Sequence, residues 1–458
     1  MMAKNTQPDD GRSPELAAVY AEIVGRNPEH DFEPTLGRVE RVCELLGDPQ
    51  RAFKSIHLTG TNGKTSTARM VEQLVREQGL RTGRFTSPHL TSITERIAID
   101  GEPVTERRFV EIFRDVEPYV RMVDEESLAA GGPRLSFFEV LTVMAFAAFA
   151  DAPVDVAIIE VGLGGSWDST NVVDAEVAVI TPISIDHERW LGHSVAEIAR
   201  TKAGIIKDGA TVIVSEQPEA ADREIVDAAG ARGARLVREG LELEVVQRRV
   251  AVGGQLLDLR TPGGIYQEIY LPLHGAHQAH NALLGLAAVE ALVTGGAALP
   301  AEVVEAGFRA ATSPGRLEVL RSSPTIIIDA AHNPAGAETL VEALEETFGL
   351  TRVVAVVAIL ADKDAEGILS VLEPHVDELV VTEVHSVRAT PAEELGALAE
   401  EVFGEDRVHV LPDLASALDT AATLAESEDT VGVGAGAGVV VAGSVILAAE
   451  ARILLGRP

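Results

Sequence analysis

The sequence predicts an α/β protein with two domains, each built on a mostly parallel sheet with helices on both faces. Three observations lead to this prediction. From about Leu36 onward, short apolar runs alternate with helical stretches, a pattern typical of parallel sheets. The chain has 458 residues, which is too many for one ordinary core. A Pro-Gly break at Pro314-Gly315 separates two stretches of this alternation.

The first domain begins with an apolar strand at residues 55–60, which a glycine turn joins to a helix at residues 65–79. An apolar helix at residues 137–150 precedes a second strand at residues 154–162. A third strand follows at residues 176–185. Strands that alternate with helices in this way predict a parallel sheet.

Short alternating runs between residues 242 and 273, split by Gly and Pro, predict a small antiparallel β-patch attached to the first domain. After a helix and the Pro-Gly break, four more apolar runs alternate with helices, which predicts a second, Rossmann-like α/β domain. We therefore divide the chain into a flexible lead-in at residues 1–30, a first domain at residues 31–312 and a second at residues 313–458.

The overall charge and the cysteine content exclude several classes of protein. A net charge of −33 argues against non-specific nucleic-acid binding, which needs a basic surface. The single cysteine, Cys43, excludes an intramolecular disulfide and a Cys-based zinc cluster. The first thirty residues are polar and resemble no signal peptide; they predict a disordered lead-in followed by a short helix. We therefore expect a cytoplasmic protein that binds no nucleic acid.

One segment is long enough to cross a membrane. Residues 431–449 carry no charge, but five glycines interrupt them, and the residues after Ser444 become amphipathic. A buried strand, a glycine turn and a helix explain this segment better than a membrane span does. We expect no membrane association.

The segment from Gly60 to Ser66 follows the first strand and precedes a helix, where backbone N–H groups can surround a triphosphate. Gly63 allows close approach of the backbone, Lys64 supplies a charge, and Thr65 can reach Mg²⁺. The general P-loop pattern requires glycine where this chain has Leu58, so a plain glycine turn is the alternative.

A carboxylate at the end of the second strand favours the nucleotide interpretation. Glu160 ends an apolar run, in the position where an NTPase holds its magnesium. A buried, unpaired carboxylate is unfavourable without a cation. Together, the loop and Glu160 predict a P-loop ATPase domain that binds ATP or GTP.

At this point the motifs resemble a known family. The loop GTNGKTS is similar to that of the Mur ligase superfamily, and further segments resemble its folylpolyglutamate synthase/dihydrofolate synthase branch. They occur in that family's order and are TSPHL (86–90), ERIAIDG (95–101), EVGLGGSWDSTN (160–171), ISIDH (183–187), KAGIIK (202–207), HQAHNA (277–282), SPGRLE (313–318), DAAHNP (329–334) and DKD (362–364).

The resemblance implies two magnesium sites formed by Ser87, Glu160, His187 and Lys202. A hydroxyl and a carboxylate suit Mg²⁺, and the lysine would become an oxygen ligand by carbamylation, as in the family. Taken singly, Ser87 is also explained as a turn cap and His187 as an ordinary loop histidine. The residues predicted to be catalytic are Lys64, Glu160, His187 and Lys202.

The resemblance also implies that ATP is held between the two domains. The predicted ATP-binding residues are Thr61, Asn62, Gly63, Lys64, Thr65, Ser66, Asn281, Arg316, Asp329 and His332. An amide reads adenine, a guanidinium bridges phosphates, and a carboxylate accepts ribose hydroxyls. A helix cap is the alternative role for Asp329. We expect Lys363 and Arg388 to contact glutamate.

The predicted pteridine contacts are Glu33, Pro34, Thr35, Ser136, Phe137, Phe138, Glu139, Trp167, Asp168 and Ser169. Aromatic faces suit a flat heterocycle, although either phenylalanine is also explained by core packing. The chain departs from the family pattern at Ser166, where the family often has Arg, and at Thr201, where it often has Glu. The first departure puts substrate preference in doubt.

The resemblance implies an ATP-dependent ligase that joins L-glutamate to dihydropteroate and to folates through an acyl phosphate. A Mur-type peptidoglycan ligase is the nearest alternative, and a nucleotide-binding regulator without ligase chemistry is a more distant one. The implied small-molecule partners are ATP, glutamate and dihydropteroate or folates, with two Mg²⁺ ions. We expect a monomer.

Overall fold

The structure is a computed structural model, and it describes residues 12–26, 34–426 and 436–456. Its largest sheet has the strand order β4-β3-β2-β5-β1-β6-β7-β8, in which β3 and β4 form an antiparallel edge and the others run parallel. The strands are β1 Lys54–Thr59, β2 Thr82–Phe85, β3 Ile97–Ile99, β4 Glu102–Pro103, β5 Val156–Glu160, β6 Val177–Ile180, β7 Thr211–Val214 and β8 Arg235–Arg238.

Helices cover both faces of this sheet. They are α1 Pro14–Val24, α2 Gly37–Leu45, α3 Lys64–Glu77, α4 Glu106–Ala129, α5 Phe137–Asp151, α6 Glu188–Leu191, α7 Val195–Lys202, α8 Glu219–Ala231, α9 Ala276–Val289 and α10 Ala301–Arg309. Neighbouring strand residues point to opposite faces. Ile158 of β5 therefore packs with α3 and α9, whereas Ile159 packs with α4 and α5. This two-sided burial explains why β5 is apolar up to its last residue, Glu160.

Three antiparallel strands, β9 Glu244–Ala251, β10 Gly254–Thr261 and β11 Gly264–Leu271, form the predicted β-patch. Leu257 and Leu259 of β10 and Ile269 of β11 join the same core as helix α9. The patch is therefore packed onto the first domain rather than standing apart.

The third sheet has the order β12-β13-β17-β14-β15-β16, with β12 antiparallel to the rest. Its strands are β12 Glu318–Ser322, β13 Thr325–Ile328, β14 Arg352–Val357, β15 Glu378–Val381, β16 Val408–Val410 and β17 Ala437–Ala442. Its helices are α11 Pro334–Thr347, α12 Ala365–Leu372, α13 Ala392–Phe403, α14 Leu414–Glu426 and α15 Val445–Leu454. The predicted α/β fold class is confirmed.

The glycine-rich segment near the end of the chain forms a strand, a turn and a helix. Its residues 431–435 lie outside the described part, but β17 is a buried central strand and Gly443 turns the chain into α15 with φ +117°. Within the described residues, no helix is both long enough and apolar enough to span a bilayer.

Part of the predicted lead-in is ordered. Residues 14–24, which lie inside the stretch predicted to be flexible, form helix α1, and Leu16 and Ile23 are fully buried in the core shared with α4 and α5. This is the short helix expected after the lead-in, and its apolar side chains bury one face, so the bounds 1–30 are too wide for a flexible segment. Residues 1–11 and 27–33 lie outside the described part.

Candidate functional site

A cavity of about 2330 Å³ lies between the first and third sheets. The carboxyl ends of β1, β5 and β6 open onto it from one side, and those of β13 and β14 open onto it from the other. Ligands of open α/β sheets bind at such carboxyl edges. The loops at these strand ends carry most of the residues that the sequence singled out.

The loop after β1 has the backbone of a phosphate-binding turn. Gly63 has φ +89°, and a Cβ on it would lie 2.5 Å from Oδ1 of Asn281, so only glycine fits. Lys64 donates from Nζ to the carbonyl oxygens of Gly60 and Thr61, at 3.0 Å each. Burial lowers the pKa of Lys64, which Glu160 partly opposes. The ammonium is therefore held over the loop at the start of α3.

Glu160 stands at the end of β5 beside this loop. Thr65 donates its hydroxyl to both carboxylate oxygens, at 2.9 and 3.0 Å, and the backbone N–H of Ser87 lies 3.4 Å from one of them. Burial raises the pKa of Glu160, while Lys64 opposes the shift. A hydroxyl and a carboxylate are thus adjacent at the mouth of the phosphate loop, as a magnesium ion beside ATP requires.

The other two predicted metal ligands reach the same cavity. Lys202, at the end of α7, is buried and donates from Nζ to the carbonyl oxygen of Gly60 at 2.7 Å. Burial, with Lys64 nearby, lowers the pKa of Lys202 well below its ordinary value. His187 follows β6 in a left-handed conformation, and burial lowers its pKa to about 3. Burial therefore favours the neutral form of both side chains.

The described residues contain no group of three or more His, Cys, Asp or Glu side chains arranged around a common metal position. This agrees with the chemistry of magnesium beside a nucleotide, since the ion keeps several waters and takes only one or two protein carboxylates. The oxygens of Thr65 and Glu160 fit such a site.

Asp186 is the residue that sequence reasoning missed. Its carboxylate accepts from Nζ of Lys363 at 2.7 Å and from Nδ2 of Asn333 at 3.1 Å. Nε2 of His332 and of His187 lie 3.8 and 3.9 Å away. Burial acts to raise the pKa of Asp186, but His187, Lys363 and His332 hold that pKa below its ordinary value. Its place after β6, one residue before His187, was the available signal.

A second polar contact joins Asn333 to the phosphate loop. The side-chain amides of Asn62, in the phosphate loop, and Asn333, the N-cap of α11, donate to each other at 3.2 and 3.3 Å. Together with Asp186, these amides connect the phosphate loop to the third sheet directly. The cleft is therefore closed in this structure.

The predicted nucleotide residues of the second domain line the cavity. Asp329, after β13, accepts from the backbone N–H groups of Leu317 and Ala331 at 2.9 and 2.7 Å. It does not cap α11, the alternative considered for it, because the N-cap of that helix is Asn333. Burial raises the pKa of Asp329, and Arg316 opposes this. His332 is fixed by its Nδ1 contact with the carbonyl oxygen of Ala330, at 2.9 Å.

The Asn281 end of the cavity contains two histidines that sequence reasoning did not assign. Burial lowers the pKa of His277 to about 4. His280 pairs with Glu239, and that contact raises the pKa of His280. The motif HQAHNA alone does not assign these histidines a role. In the structure, His277 and His280 line the same cavity as Asn281.

Lys363 and Arg388 differ in their surroundings. Lys363 contacts Asp186 as described above, close to the phosphate loop. Arg388 makes a bidentate pair with Asp362, with Nη2 2.6 and 2.5 Å from the two carboxylate oxygens. Both arginine and aspartate line the cavity, so Arg388 can bind a glutamate carboxylate only by sharing or leaving Asp362.

Seven of the ten predicted pteridine contacts line the cavity: Thr35, Ser136, Phe138, Glu139, Trp167, Asp168 and Ser169. Glu33 lies outside the described residues. Pro34 is exposed beside the cavity rather than part of its lining. Phe137 does not line it either, because its ring packs beneath the guanidinium of Arg96, 5.1 Å from the ring centroid.

Two of the lining carboxylates are already engaged inside the protein. Glu139 pairs with Arg38, with its Oε1 3.0 Å from Nε. Asp168 accepts from the N–H groups of Leu163 and Thr170, each at 2.9 Å, and burial raises the pKa of Asp168 to about 6. The first contact joins α5 to α2, and the second fixes the loop after β5 on itself.

The two departures from the family pattern lie outside the cavity lining. Ser166 is exposed, and its Cβ packs against the backbone of Gly204. Thr201 donates its hydroxyl to the carbonyl oxygen of Glu197 at 3.3 Å. Ser166 itself therefore contributes nothing to the lining, although the next residue, Trp167, does.

Two family models match the chain. Residues 58–289 match the Mur ligase middle domain, and residues 315–438 match the Mur ligase, glutamate ligase domain. The dihydrofolate synthase/folylpolyglutamate synthase of Mycobacterium tuberculosis is 51% identical over 94% of this chain and 92% of its own length. That of Escherichia coli is 35% identical, over 86% and 87% of the two chains.

Solved structures agree in fold. The Mycobacterium tuberculosis folylpolyglutamate synthase complexed with ADP and AMPPCP aligns with a TM-score of 0.92 at 49% identity, covering 97% of this chain and 99% of that one. Escherichia coli FolC in complex with DHPP and ADP aligns with a TM-score of 0.82 at 31% identity, covering 98% and 99%. The chain belongs to the dihydrofolate synthase/folylpolyglutamate synthase family of the Mur ligases.

Proposed function

We propose that this protein is an ATP-dependent, ADP-forming ligase that joins L-glutamate to dihydropteroate and to the γ-carboxylate of tetrahydrofolates. The observation that carries the proposal is that one cavity is lined by the phosphate loop and by the Thr65–Glu160 pair. The opposite side of the same cavity carries Asp329, His332 and Lys363. The named relatives are dihydrofolate synthase/folylpolyglutamate synthases, and solved relatives hold ADP.

The reaction needs positioning and charge neutralisation more than covalent chemistry from the protein. The γ-phosphoryl group of ATP passes to a substrate carboxylate oxygen, which gives an acyl phosphate and ADP. The glutamate amine then attacks the acyl carbon, and phosphate leaves with the C–O bond pair as the amide forms. Lys64 is placed to neutralise the phosphates, and Lys363 lies close enough to the loop to assist.

We assign two magnesium sites to the cavity. Thr65, Glu160 and Ser87 would hold one beside the phosphates, and His187 with a carbamylated Lys202 would hold the other. When bound, magnesium spreads the negative charge that develops on the transferring phosphoryl group. The adjacent oxygens of Thr65 and Glu160 support the first site, and the depressed pKa of buried Lys202 supports the second.

We assign the nucleotide to Asn281, Arg316, Asp329 and His332, and the pteridine to the cavity wall formed by Phe138 and Trp167. Phe138 stacks on Phe85, with ring centroids 5.5 Å apart, and Gly162 lies against its ring. An aromatic face fixed in this way suits a flat heterocycle. A Mur-type peptidoglycan ligase is not favoured, because the named relatives act in folate metabolism according to their names.

The test is ADP formation by purified protein with ATP, Mg²⁺, glutamate and either dihydropteroate or tetrahydrofolate. We expect ADP release to require both glutamate and an acceptor, and labelled glutamate to enter the product. ATP hydrolysis that ignores glutamate would instead support a nucleotide-binding regulator. Lys64→Ala should abolish product with either acceptor. Lys54→Ala, which removes an exposed lysine from the same strand–loop unit, should not.

We also propose that the protein acts as a monomer in the cytoplasm. The support is its net charge of −33, which favours mutual repulsion and solubility. Sedimentation velocity at the concentration used for kinetics tests the first part, and a dimer at that concentration would contradict it.

A further inference from the structure

His89, in the loop after β2, lines the cavity between its two functional ends. Two residues earlier, the N–H of Ser87 points at Glu160, on the phosphate side. Arg96, which contacts His89, lies over Phe137, the neighbour of the cavity-lining Phe138 on the pteridine side. His89 is thus connected through its neighbours to both the phosphate side and the pteridine side of the cavity.

The chemistry of the Arg96 contact fixes the tautomer of His89. Nε of Arg96 donates to Nδ1 of His89 at 2.9 Å. A guanidinium has only donors, so Nδ1 must be an unprotonated acceptor. The imidazole hydrogen therefore resides on Nε2. The tautomer of a histidine is decided in this way by the hydrogen bond that its other nitrogen makes.

The surroundings hold this pair rigidly. Arg96 is 3% exposed and ends the short helix Ile93–Arg96, with its guanidinium over the Phe137 ring. Glu95 accepts the backbone N–H groups of Leu90, Thr91 and Ser92 at 2.8 to 2.9 Å. The carboxylate of Glu95 therefore fixes the backbone of residues 90–92, directly after His89. The ring has little freedom to turn.

Nε2 of His89 makes no hydrogen bond to the described residues, and it is not buried. We propose, building on the proposed function, that Nε2–H of His89 is a fixed donor to an acceptor atom of the pteridine-bearing substrate, and that Arg96 is the positioning residue that sets its tautomer. Pteroyl substrates offer ring nitrogens, carbonyl oxygens and a carboxylate as acceptors along this path.

The tautomer is tested without any substrate. Two-bond ¹H–¹⁵N correlation spectra of the full chain distinguish the nitrogen that carries hydrogen, and His89→Gln identifies the signal. We expect Nε2–H in the wild type and a mixture of tautomers in Arg96→Lys. Nδ1–H in the wild type would overturn the proposal. Should Arg96→Lys not fold, the wild-type spectrum alone still decides the tautomer.

The role towards substrate is tested by a matched pair. The amide nitrogen of Gln can occupy the position of Nε2, whereas that of Asn occupies the position of Nδ1. We expect His89→Asn to raise the KM for the pteroyl acceptor about threefold to tenfold, the range for loss of one hydrogen bond. His89→Gln should restore most of the loss. The KM for ATP and for glutamate should stay unchanged in both variants.

The outcomes separate this inference from the proposed function. If wild-type protein forms product and His89→Asn matches it, the donor role is refuted and the ligase stands. A KM change confined to ATP or glutamate would likewise overturn the assignment to the pteroyl substrate. If wild-type protein forms no product, the proposed function fails, whatever the spectra show about the tautomer.

Discussion

Asp186→Asn is the variant that tests how the two sheets cooperate. The Asp186–Lys363 pair joins residues 177 positions apart, and its side chains are only 9% and 7% exposed. Replacing one partner of a buried ion pair costs about 3–5 kcal/mol, because the remaining charge is left uncompensated. Asn keeps the size and can still accept the hydrogen bond from Asn333.

If the whole of this free-energy cost destabilises the arrangement in which the two sheets are in contact, kcat/KM falls roughly 150- to 5,000-fold. We expect that range to be an upper bound, since Lys363 can turn towards bound phosphate. The assay is the initial rate of ADP formation with glutamate varied, after circular dichroism has shown a native spectrum. A loss of less than about threefold would refute the assigned role.

A double-mutant cycle separates the pair from the single residue. In Lys363→Met the charge that Asp186 balances is gone, so adding Asp186→Asn should cause little further loss. Additive losses would mean that the two residues act independently. The matched control is Asp208→Asn, which removes half of an exposed ion pair with Arg232 and should leave the rate within about twofold.

Two further predictions concern stability and the phosphate loop. His57 is fully buried with Nε2 2.8 Å from the Thr170 hydroxyl, and burial lowers its pKa to about 3. Below pH 6.5 the unfolded state binds a proton that the folded state does not, so stability should fall with falling pH. This group contributes up to about 1.4 kcal/mol per pH unit. Urea unfolding of wild type and His57→Gln from pH 7.5 to 5 should show a shallower loss in the variant; parallel curves would contradict this. Gly63→Ala should raise the KM for ATP at least tenfold, about 1.4 kcal/mol or more, because its Cβ meets Asn281. Gly79→Ala shares the positive φ without a neighbour within 4 Å, so it should lower stability by about 1 kcal/mol and leave that KM unchanged.

Residues fixed by local pattern were predictable from the sequence. Glu160, His187 and Asp329 each follow a short apolar run, and the carboxyl ends of parallel strands meet at one edge of a sheet. A strand, its end and the turn after it lie within about ten residues. Periodicity and turn chemistry therefore suffice to place these side chains.

Contacts made across long sequence separations were not predictable in this way. Nothing near Asp186 in the chain shows that Lys363 will meet it, because that contact depends on how the two domains pack. Phe137 and Phe138 illustrate a second limit. Both begin α5, and successive helix positions point about 100° apart, so the two rings need not share surroundings; Phe138 lines the cavity and Phe137 does not. Which one does so is set by Arg96 and Gly162, from other elements.

Lys202 brings these two kinds of information together. Its motif suggested a carbamate, and the structure supplies a chemical reason, since burial lowers the pKa of the Lys202 amine well below its ordinary value and so favours the unprotonated form that attacks CO₂. The new N–C bond forms as one proton leaves, and the remaining N–H can still donate to the Gly60 carbonyl oxygen, now 2.7 Å away. The amine thereby becomes an oxygen ligand suited to magnesium.

This reasoning predicts a chemical rescue. Lys202→Ala should lose at least about 100-fold in rate, as loss of a metal-ordering group does. Acetate or formate should restore part of the rate by placing a carboxylate in the vacated space, whereas chloride at equal ionic strength should not. Wild-type protein in ¹³C-bicarbonate should show a carbamate carbon signal that the variant lacks. If acetate is no better than chloride and no such signal forms, Lys202 acts only as an amine that holds the carbonyl of Gly60.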